Sequence, residues 1–553
     1  MTPGEAQRQI TEALAQVGFR HLEDRGLVYV GAVAMDTRPI RLEFSIPCLA
    51  FSRIPRVRLT HRAEDLPGIW AHIEDEDFLC FAAPGTLILS HHDPGGSVLL
   101  ALEWVHATLR RILGPDGRRD VAAEFPQHWR SNTPIHVALP PDTPEGMASI
   151  LMLPRQGAKA MSVLTRGLPS GGHDGGAMGQ LSRPVAAHAW IGRTDHELNL
   201  GPPGVPQNLR QFLDWVEGID QGLVERLSAA AARHFFKEDV HLFVLGPNGC
   251  IGVQLLLPRL WQQAASTKQF WSSRIVQGAE RIEVIRLRGV RMDVEHAVTR
   301  NLPGRPSLSA RLIVLVGCGS IGSHLARLLI QCGAGFGGGR LVLLDMDTLA
   351  TGNLGRHWLG AAHIGSGKAA ALASELERFA PGVAVQGIGE DAMDRLGLLS
   401  RADLLIDATG EEGLSRALNR ELVERRPTSP DAIFVWLVGQ GAAAQALYVA
   451  SNAEGRGCLD CCFPFGSRPA VLRENATLDA VPAACGEADF MPYGVAAPAM
   501  AAGLAAAMAL EWAGGGVQPS FRTLRVDHSA TNSVPDTDVM ARTDCPTCGA
   551  AAP

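Results

Sequence analysis

The sequence predicts an α/β chain: a C-terminal Rossmann-like domain with a zinc site, preceded by an α+β domain and an α/β middle region. Three observations predict it. From about residue 305, short apolar strands alternate with helices, the pattern of a parallel sheet covered on both faces. Gly317-Cys318-Gly319-Ser320-Ile321-Gly322 stands between the first of those strands and its helix. Two Cys-x-x-Cys pairs, Cys458/Cys461 and Cys545/Cys548, supply the four thiolates that tetrahedral zinc takes in closed structural sites.

At 553 residues the chain exceeds what one core usually serves, and three domains are expected, over 1–125, 126–300 and 301–553. A net charge of −7 argues against nucleic acid or an anionic membrane as the main partner. The polar N-terminus, MTPGEAQRQITEALAQ, lacks the basic and apolar regions of a secretory signal, so a cytoplasmic location is expected. Cysteines there stay mostly reduced, which favours metal or catalytic roles over disulfides. The apolar run 495–510 is too short to span a bilayer and reads as a buried helix. Only Lys159, Lys237, Lys268 and Lys368 are lysines among the 50 basic residues. Where Arg is written for every generic cation, a lysine that persists is one needed as a lysine.

In the first domain a helix over 2–18 precedes strands near 27–34, 40–46 and 56–60. A later helix is expected from an N-capping Ser97, with Leu102, Val105, Leu109 and Ile112 at helical spacing. Between them lies His72-Ile-Glu-Asp-Glu-Asp-Phe-Leu-Cys80. Read alone, Cys80 is either a small buried hydrophobe or a reactive thiol, with Cys48 as the competing candidate. The middle region offers strands near 135–139, 241–245 and 252–257, a helix near 209–234 and a Gly-rich loop at 167–179. It carries no chemistry signature. Cys250, Cys318 and Cys332 read as structural, and Cys462 as outside the zinc set.

In the last domain strands are expected at 312–316, 340–344 and 404–407, and helices at 323–331 and 369–379. Gly317, Gly319 and Gly322 permit a tight turn and close approach of a phosphate to a helix N-terminus. Asp345 ends the second strand, where an acidic residue binds a ribose hydroxyl. Those features alone suggest a nicotinamide dehydrogenase. The cluster Asp345, Asp347, Asn353, Arg356, Lys368 and Asp407 suits a nucleoside triphosphate better. Arg and Lys neutralise phosphates, Asn orients them and Asp carries magnesium.

The segments GCGSIG, LLDMDTLATGNLGRH, GSGK, IDATG, the CxxC pairs and CGEADFMPYGVAAPAMAAGLAAAMALEWA resemble the ThiF/MoeB and ubiquitin-activating-enzyme family over about 305–550. The resemblance implies that ATP·Mg2+ is bound and that the C-terminal carboxylate of a ubiquitin-like protein is adenylated. It places Asp345 on the ribose, Asn353, Arg356 and Lys368 on the triphosphate, Asp407 on magnesium and the four paired cysteines on zinc. Cys485 falls at the thiol that takes the acyl group from AMP; read alone, it is a nucleophile or a buried structural thiol. His357 stands where many members have Gln. A homodimer is implied, with Arg291 or Arg300 as candidates for an arginine supplied across it.

The N-terminal domain resembles a ubiquitin-conjugating enzyme, whose acyl-accepting cysteine follows a His-Pro-Asn motif. His72 is present before Cys80, but Pro and Asn are not. Together the domains resemble the fused activating/conjugating enzymes of bacterial antiphage operons, including those of CBASS. The resemblance implies an acyl relay from AMP to Cys485 to Cys80 to a target amine, with a CD-NTase or ubiquitin-like protein as the activated partner. Two alternatives stay open: an adenylyltransferase for a sulfur-carrier protein, and a non-catalytic partner-binding scaffold.

Overall fold

The computed structural model describes all residues except 36–37, 67–69, 84, 130, 132, 140–142, 156–157, 167–186, 201–203, 235–239, 257–276, 293–295, 297–301, 303–305, 381, 453–454, 464–469, 475, 477–492 and 550–553. The Gly-rich stretch 167–179, Arg300 and Cys485 therefore lie outside the described residues. The chain forms two units, Met1–Met292 and Asp293–Pro553.

The first unit opens with α1 (Pro3–Gln16), capped by Thr2, whose hydroxyl accepts the Glu5 N–H at 3.3 Å. A four-stranded antiparallel meander follows: β1 (Arg20–His21), β2 (Val28–Ala34), β3 (Pro39–Ser45) and β4 (Arg56–Leu59). Ile40, Leu42 and Phe44 alternate inward from β3 and meet Ile10 and Leu14 of α1. Across them lies α2 (Pro94–Leu113), burying Val98, Leu102, Val105, Leu109 and Ile112.

Helix α2 begins ahead of Ser97, correcting the expected cap. Asp93 accepts the Gly96 N–H at 2.9 Å and Pro94 fills the first helical position, where its missing N–H costs nothing. Ser97 sits inside the helix and bonds Ser90 instead, its hydroxyl donating to the Ser90 carbonyl at 2.9 Å.

The middle region is a closed barrel in the order β10-β11-β5-β7-β6-β8-β9. Its strands are β5 (Pro134–Val137), β6 (Gly146–Arg155), β7 (Ala158–Thr165), β8 (Ala187–Arg193), β9 (Val240–Gly246), β10 (Gly249–Leu256) and β11 (Glu283–Arg291). Between α2 and the barrel runs α3 (Asp116–Ala123). The single helix expected near 209–234 is two: α4 (Leu209–Glu217) and α5 (Gln221–His234). Their residues Phe212, Val216, Leu223 and Leu227 pack on Leu242, Val244, Ile251 and Val253 of the barrel wall. An aromatic knot holds the residues just after α3 against α4 and that wall. Trp129 lies with its ring centroid 4.9 Å from Trp215, and Phe125 stacks on Trp215 at 5.9 Å. The Trp129 indole donates to the Gly252 carbonyl at 3.2 Å, and Asn248 Nδ2 donates to the Ala122 carbonyl at 2.7 Å.

The second unit holds a seven-stranded sheet in the order β14-β13-β12-β15-β16-β17-β18. The first five strands run parallel: β14 (Val385–Ile388), β13 (Arg340–Leu344), β12 (Leu312–Val316), β15 (Leu404–Asp407) and β16 (Asp431–Val438). β17 (Ala443–Val449) and β18 (Phe521–Arg525) add an antiparallel edge. Ile313 and Leu315 face α6 (Ser320–Gln331), α7 (Lys368–Phe379) and α9 (Ala496–Ala513). Val314 and Val316 face α8 (Glu412–Glu424). Burial on both faces makes these strands continuous apolar runs. The Ala-rich helix α9 is long and apolar enough to cross a membrane, but it buries Ala501, Ala505 and Met508 in the core.

Trp129→Ala should destabilise the first unit by about 3–5 kcal/mol, the cost of emptying a buried tryptophan site. Its denaturant midpoint should fall while that of the second unit holds.

Candidate functional site

Register builds the site in the second unit. Val316 pairs with Leu344 on one side and Asp407 on the other. The three strands therefore end level, and the turns that follow them share one edge of the sheet. Gly317 takes φ +86°, and a Cβ there would lie 2.8 Å from the Thr409 nitrogen. A Cβ on Gly322 would stand 1.8 Å from the Gly317 carbonyl oxygen. Only glycine fits at either position. Helix α6 starts at Ser320 without a side-chain cap, leaving its first N–H groups for a ligand.

The turn is clamped through one peptide. Asp345 Oδ2 accepts the Cys318 N–H at 2.6 Å, and Oδ1 accepts the Asp347 N–H at 2.8 Å. Buried His357 lies with Nε2 2.7 Å from the Cys318 carbonyl oxygen, while its Nδ1 accepts the Leu359 N–H at 3.0 Å. That pairing makes Nε2 the protonated nitrogen, and burial lowers the imidazole's pKa so that it stays neutral.

Lys368 opens α7 and is buried, its Nζ donating to Asp347 Oδ2 at 2.7 Å. Asn353 accepts the Ala350 N–H at 2.9 Å and closes its own short turn. The Arg356 guanidinium lies 5.0 Å above the centroid of Tyr493, whose hydroxyl is 2.9 Å from Ser320 Oγ. Tyr493 ties the stretch before α9 to the start of α6. Sequence reasoning quoted it within a motif but gave it no role; its only signal was an aromatic ring among small residues.

Asp407 is 2% exposed. Its Oδ1 accepts from the Thr409 N–H at 3.0 Å and hydroxyl at 2.7 Å, and its Oδ2 accepts from the Ser415 hydroxyl. Burial still pushes its carboxyl above the ordinary carboxylate range. Among the described residues no cation pairs with it.

The sulfurs of Cys458, Cys461, Cys545 and Cys548 all lie within 4.8 Å of one another. Cys458 and Cys545 are 3.7 Å apart, and Cys461 and Cys548 3.3 Å. Tetrahedral zinc with Zn–S bonds of about 2.3 Å needs sulfurs about 3.8 Å apart, so the set fits zinc. The Arg542 N–H donates to Cys461 Sγ at 3.4 Å. Cys462 packs instead against the apolar core beneath β16.

In the first unit Cys80 is exposed on a hairpin, its N–H donating to the His72 carbonyl at 2.8 Å. Partial desolvation, then the carboxylates of Glu74 and Glu124, push its thiol upward. Cys48 follows β3, and the Ser52 hydroxyl donates to its sulfur at 3.3 Å, which lowers its pKa. Cys250 and Cys318 are buried and Cys332 half-buried, their thiols raised by burial. Arg291 closes β11.

Residues 298–547 match the ThiF family, and residues 4–137 match Prokaryotic E2 family B. The chain is 28% identical to the ATP-dependent ubiquitin transferase-like protein Cap2 of Pseudomonas aeruginosa, over 99% of this chain and 100% of that one. It is 30% identical to the protein of the same name from Vibrio cholerae, over 49% of this chain and 48% of the relative. Among solved structures, E. coli MccB with ATP aligns with 44% of this chain and 68% of its own, at 21% identity and a TM-score of 0.34. That last likeness is too loose to argue from. The chain is an E1-like/E2-like enzyme, a ThiF-family domain fused behind a prokaryotic E2-like domain.

Proposed function

We propose that this enzyme uses ATP·Mg2+ to activate the C-terminal carboxylate of a ubiquitin-like protein or a CD-NTase and joins it to a target amine in antiphage defence. It acts as a cytoplasmic homodimer. The observation that carries the reading is the convergence of the Gly317–Gly322 turn, Lys368, Arg356 and Asp407 on one sheet edge, in a chain that also has an E2-like domain. The carboxylate attacks the α-phosphorus and pyrophosphate leaves. The Cys485 thiolate displaces AMP to form a thioester, Cys80 takes the acyl group by exchange, and the amine displaces Cys80 to form an amide.

Each residue has a task in that sequence. The α6 N-terminus and the glycine turn receive phosphate oxygens, Asp345 the ribose, and Asn353, Arg356 and Lys368 the triphosphate. Lys368 exchanges Asp347 for a phosphate, and Asp347 then remains as a further nucleotide ligand. Magnesium held at Asp407 would offset a buried carboxylate that has no cationic partner among the described residues. Zinc on the four cysteines would tie segments 87 residues apart and take no part in the chemistry. A sulfur-carrier adenylyltransferase would explain the nucleotide site equally, but would leave Cys80 inert and the E2-like residues 4–137 only to dock the carrier.

With ATP, magnesium and the protein activated, Lys368→Ala should lose pyrophosphate exchange by about 100-fold or more. On non-reducing gels Cys485→Ala should form no thioester, and Cys80→Ala only the one on Cys485. Full conjugation by Cys80→Ala would remove Cys80 from the relay.

Asp407→Asn should lose exchange yet raise the melting temperature of the nucleotide-free protein near neutrality. The folded carboxyl titrates above its unfolded value, so its stabilising effect is present at acid pH and lost as pH rises through the shifted value. Asparagine never ionises, and the gain should shrink as pH falls. An unchanged melting temperature at neutrality would show that the charge is already compensated.

Metal analysis should find one zinc per chain, lost in Cys545→Ser together with the cooperative melting of the second unit. Metal-free protein with unchanged melting would rule the site out.

A further inference from the structure

Among the residues at the mouth of the second unit, Arg356 is the one whose working end lies farthest from what fixes its backbone. Its N–H donates to the Asn353 carbonyl at 3.0 Å, and its own carbonyl oxygen lies 3.3 Å from His324 Nε2. The guanidinium, by contrast, rides on a long side chain with several free torsions. Every torsion left to be fixed when the phosphates arrive is a cost set against binding. A guanidinium aimed in advance avoids that cost, because its planar fork then meets phosphate oxygens directly.

Tyr493 supplies the aim. The Arg356 guanidinium lies 5.0 Å from the centroid of its ring, inside the roughly 6 Å over which a cation is drawn to an aromatic face. The ring is seated from two further sides. Gly441, in the turn between β16 and β17 at φ +75°, packs against it so closely that a Cβ there would stand 2.9 Å from Tyr493 Cβ and 3.5 Å from Cγ. At its other end the hydroxyl is 2.9 Å from Oγ of Ser320, the first residue of α6. Tyr493 and Ser320 are both half-buried, so water can serve either hydroxyl, and what their bond adds is direction. A single ring thus bridges the guanidinium and the uncapped start of α6. Leucine fills such a seat but draws no cation, and phenylalanine draws the cation but finds no serine.

We propose that Tyr493 is a positioning residue for the nucleotide: its face aims the Arg356 guanidinium at phosphates received on α6, and its hydroxyl, anchored on Ser320, keeps the ring from turning away. The proposal rests on the reading of Arg356 as a triphosphate ligand and adds the residue through which that ligand is aligned.

The full chain is titrated with ATP·Mg2+ in the absence of any protein to activate. Tyr493→Leu should raise the dissociation constant roughly 5- to 10-fold, the scale of a partly exposed cation–π contact, and Tyr493→Phe should raise it by less. Because Tyr493 acts through Arg356, Tyr493→Leu should add nothing to the loss already present in Arg356→Ala. A second readout needs no mutant affinity. The chain has three tyrosines, Tyr29, Tyr448 and Tyr493, so 3-fluorotyrosine labelling gives three 19F resonances, and the one missing from Tyr493→Phe is identified. ATP·Mg2+ should move that resonance while those of buried Tyr29 and Tyr448 hold still. Additive losses in the double variant would mean a general packing role and overturn the assignment. So would tighter binding by Tyr493→Leu, which would make the ring an obstacle, or a Tyr493 resonance unmoved at saturation. Failure of the unaltered enzyme to bind ATP·Mg2+ would instead remove the nucleotide site itself, and this role with it.

Discussion

Everything at the mouth of the second unit depends on the register that levels Val316 with Leu344 and Asp407. Parallel strands all point one way, so every connection must leave from the same edge. The glycine turn, Asp345 and Asp407 are thereby brought to one edge by the strands that carry them. A slip of one residue would turn each side chain to the opposite face of the sheet. Packing on both faces excludes that slip, because Ile313 and Val314 fill different cores. Within this frame the Cys318 peptide is fixed from both ends, its N–H by Asp345 and its carbonyl by His357. The histidine that departs from the family's usual Gln thus serves as a neutral donor in a dry place.

The first unit meets a different demand, that of presenting an exposed thiol from a rigid base. Rigidity comes from Asn248, which bonds the end of α3 to the barrel, and from the aromatic knot around Trp129 just beyond that helix. Helix α3 then passes that order to the hairpin through Asp120 and Glu124. The barrel, which carries no chemistry signature of its own, acts on Cys80 by holding the helix that holds the hairpin.

What was legible in the sequence follows from what each segment buries. Strands 312–316, 340–344 and 404–407 stand out because apolar runs end abruptly in polar motifs. The zinc cysteines are legible from spacing alone. The barrel was harder: in β9, Leu242 and Val244 face helices while Phe243 faces the interior, so no polar alternation marks the strand. The cap of α2 was misplaced because Asp93-Pro94 and Ser97 offer rival start signals four residues apart or less. Partnerships such as Lys368 with Asp347, or His72 with Asp120 and Glu124, join residues 21, 48 and 52 positions apart. No local pattern records such pairs; only the fold brings them together.

Tyr493, seated on Ser320 and beneath Arg356, also works as a tether. Cys485 lies eight residues before it. A chain of that length reaches at most about 28 Å, whatever its course. The seating of Tyr493 thus sets an upper bound on the span between that cysteine and the start of α6.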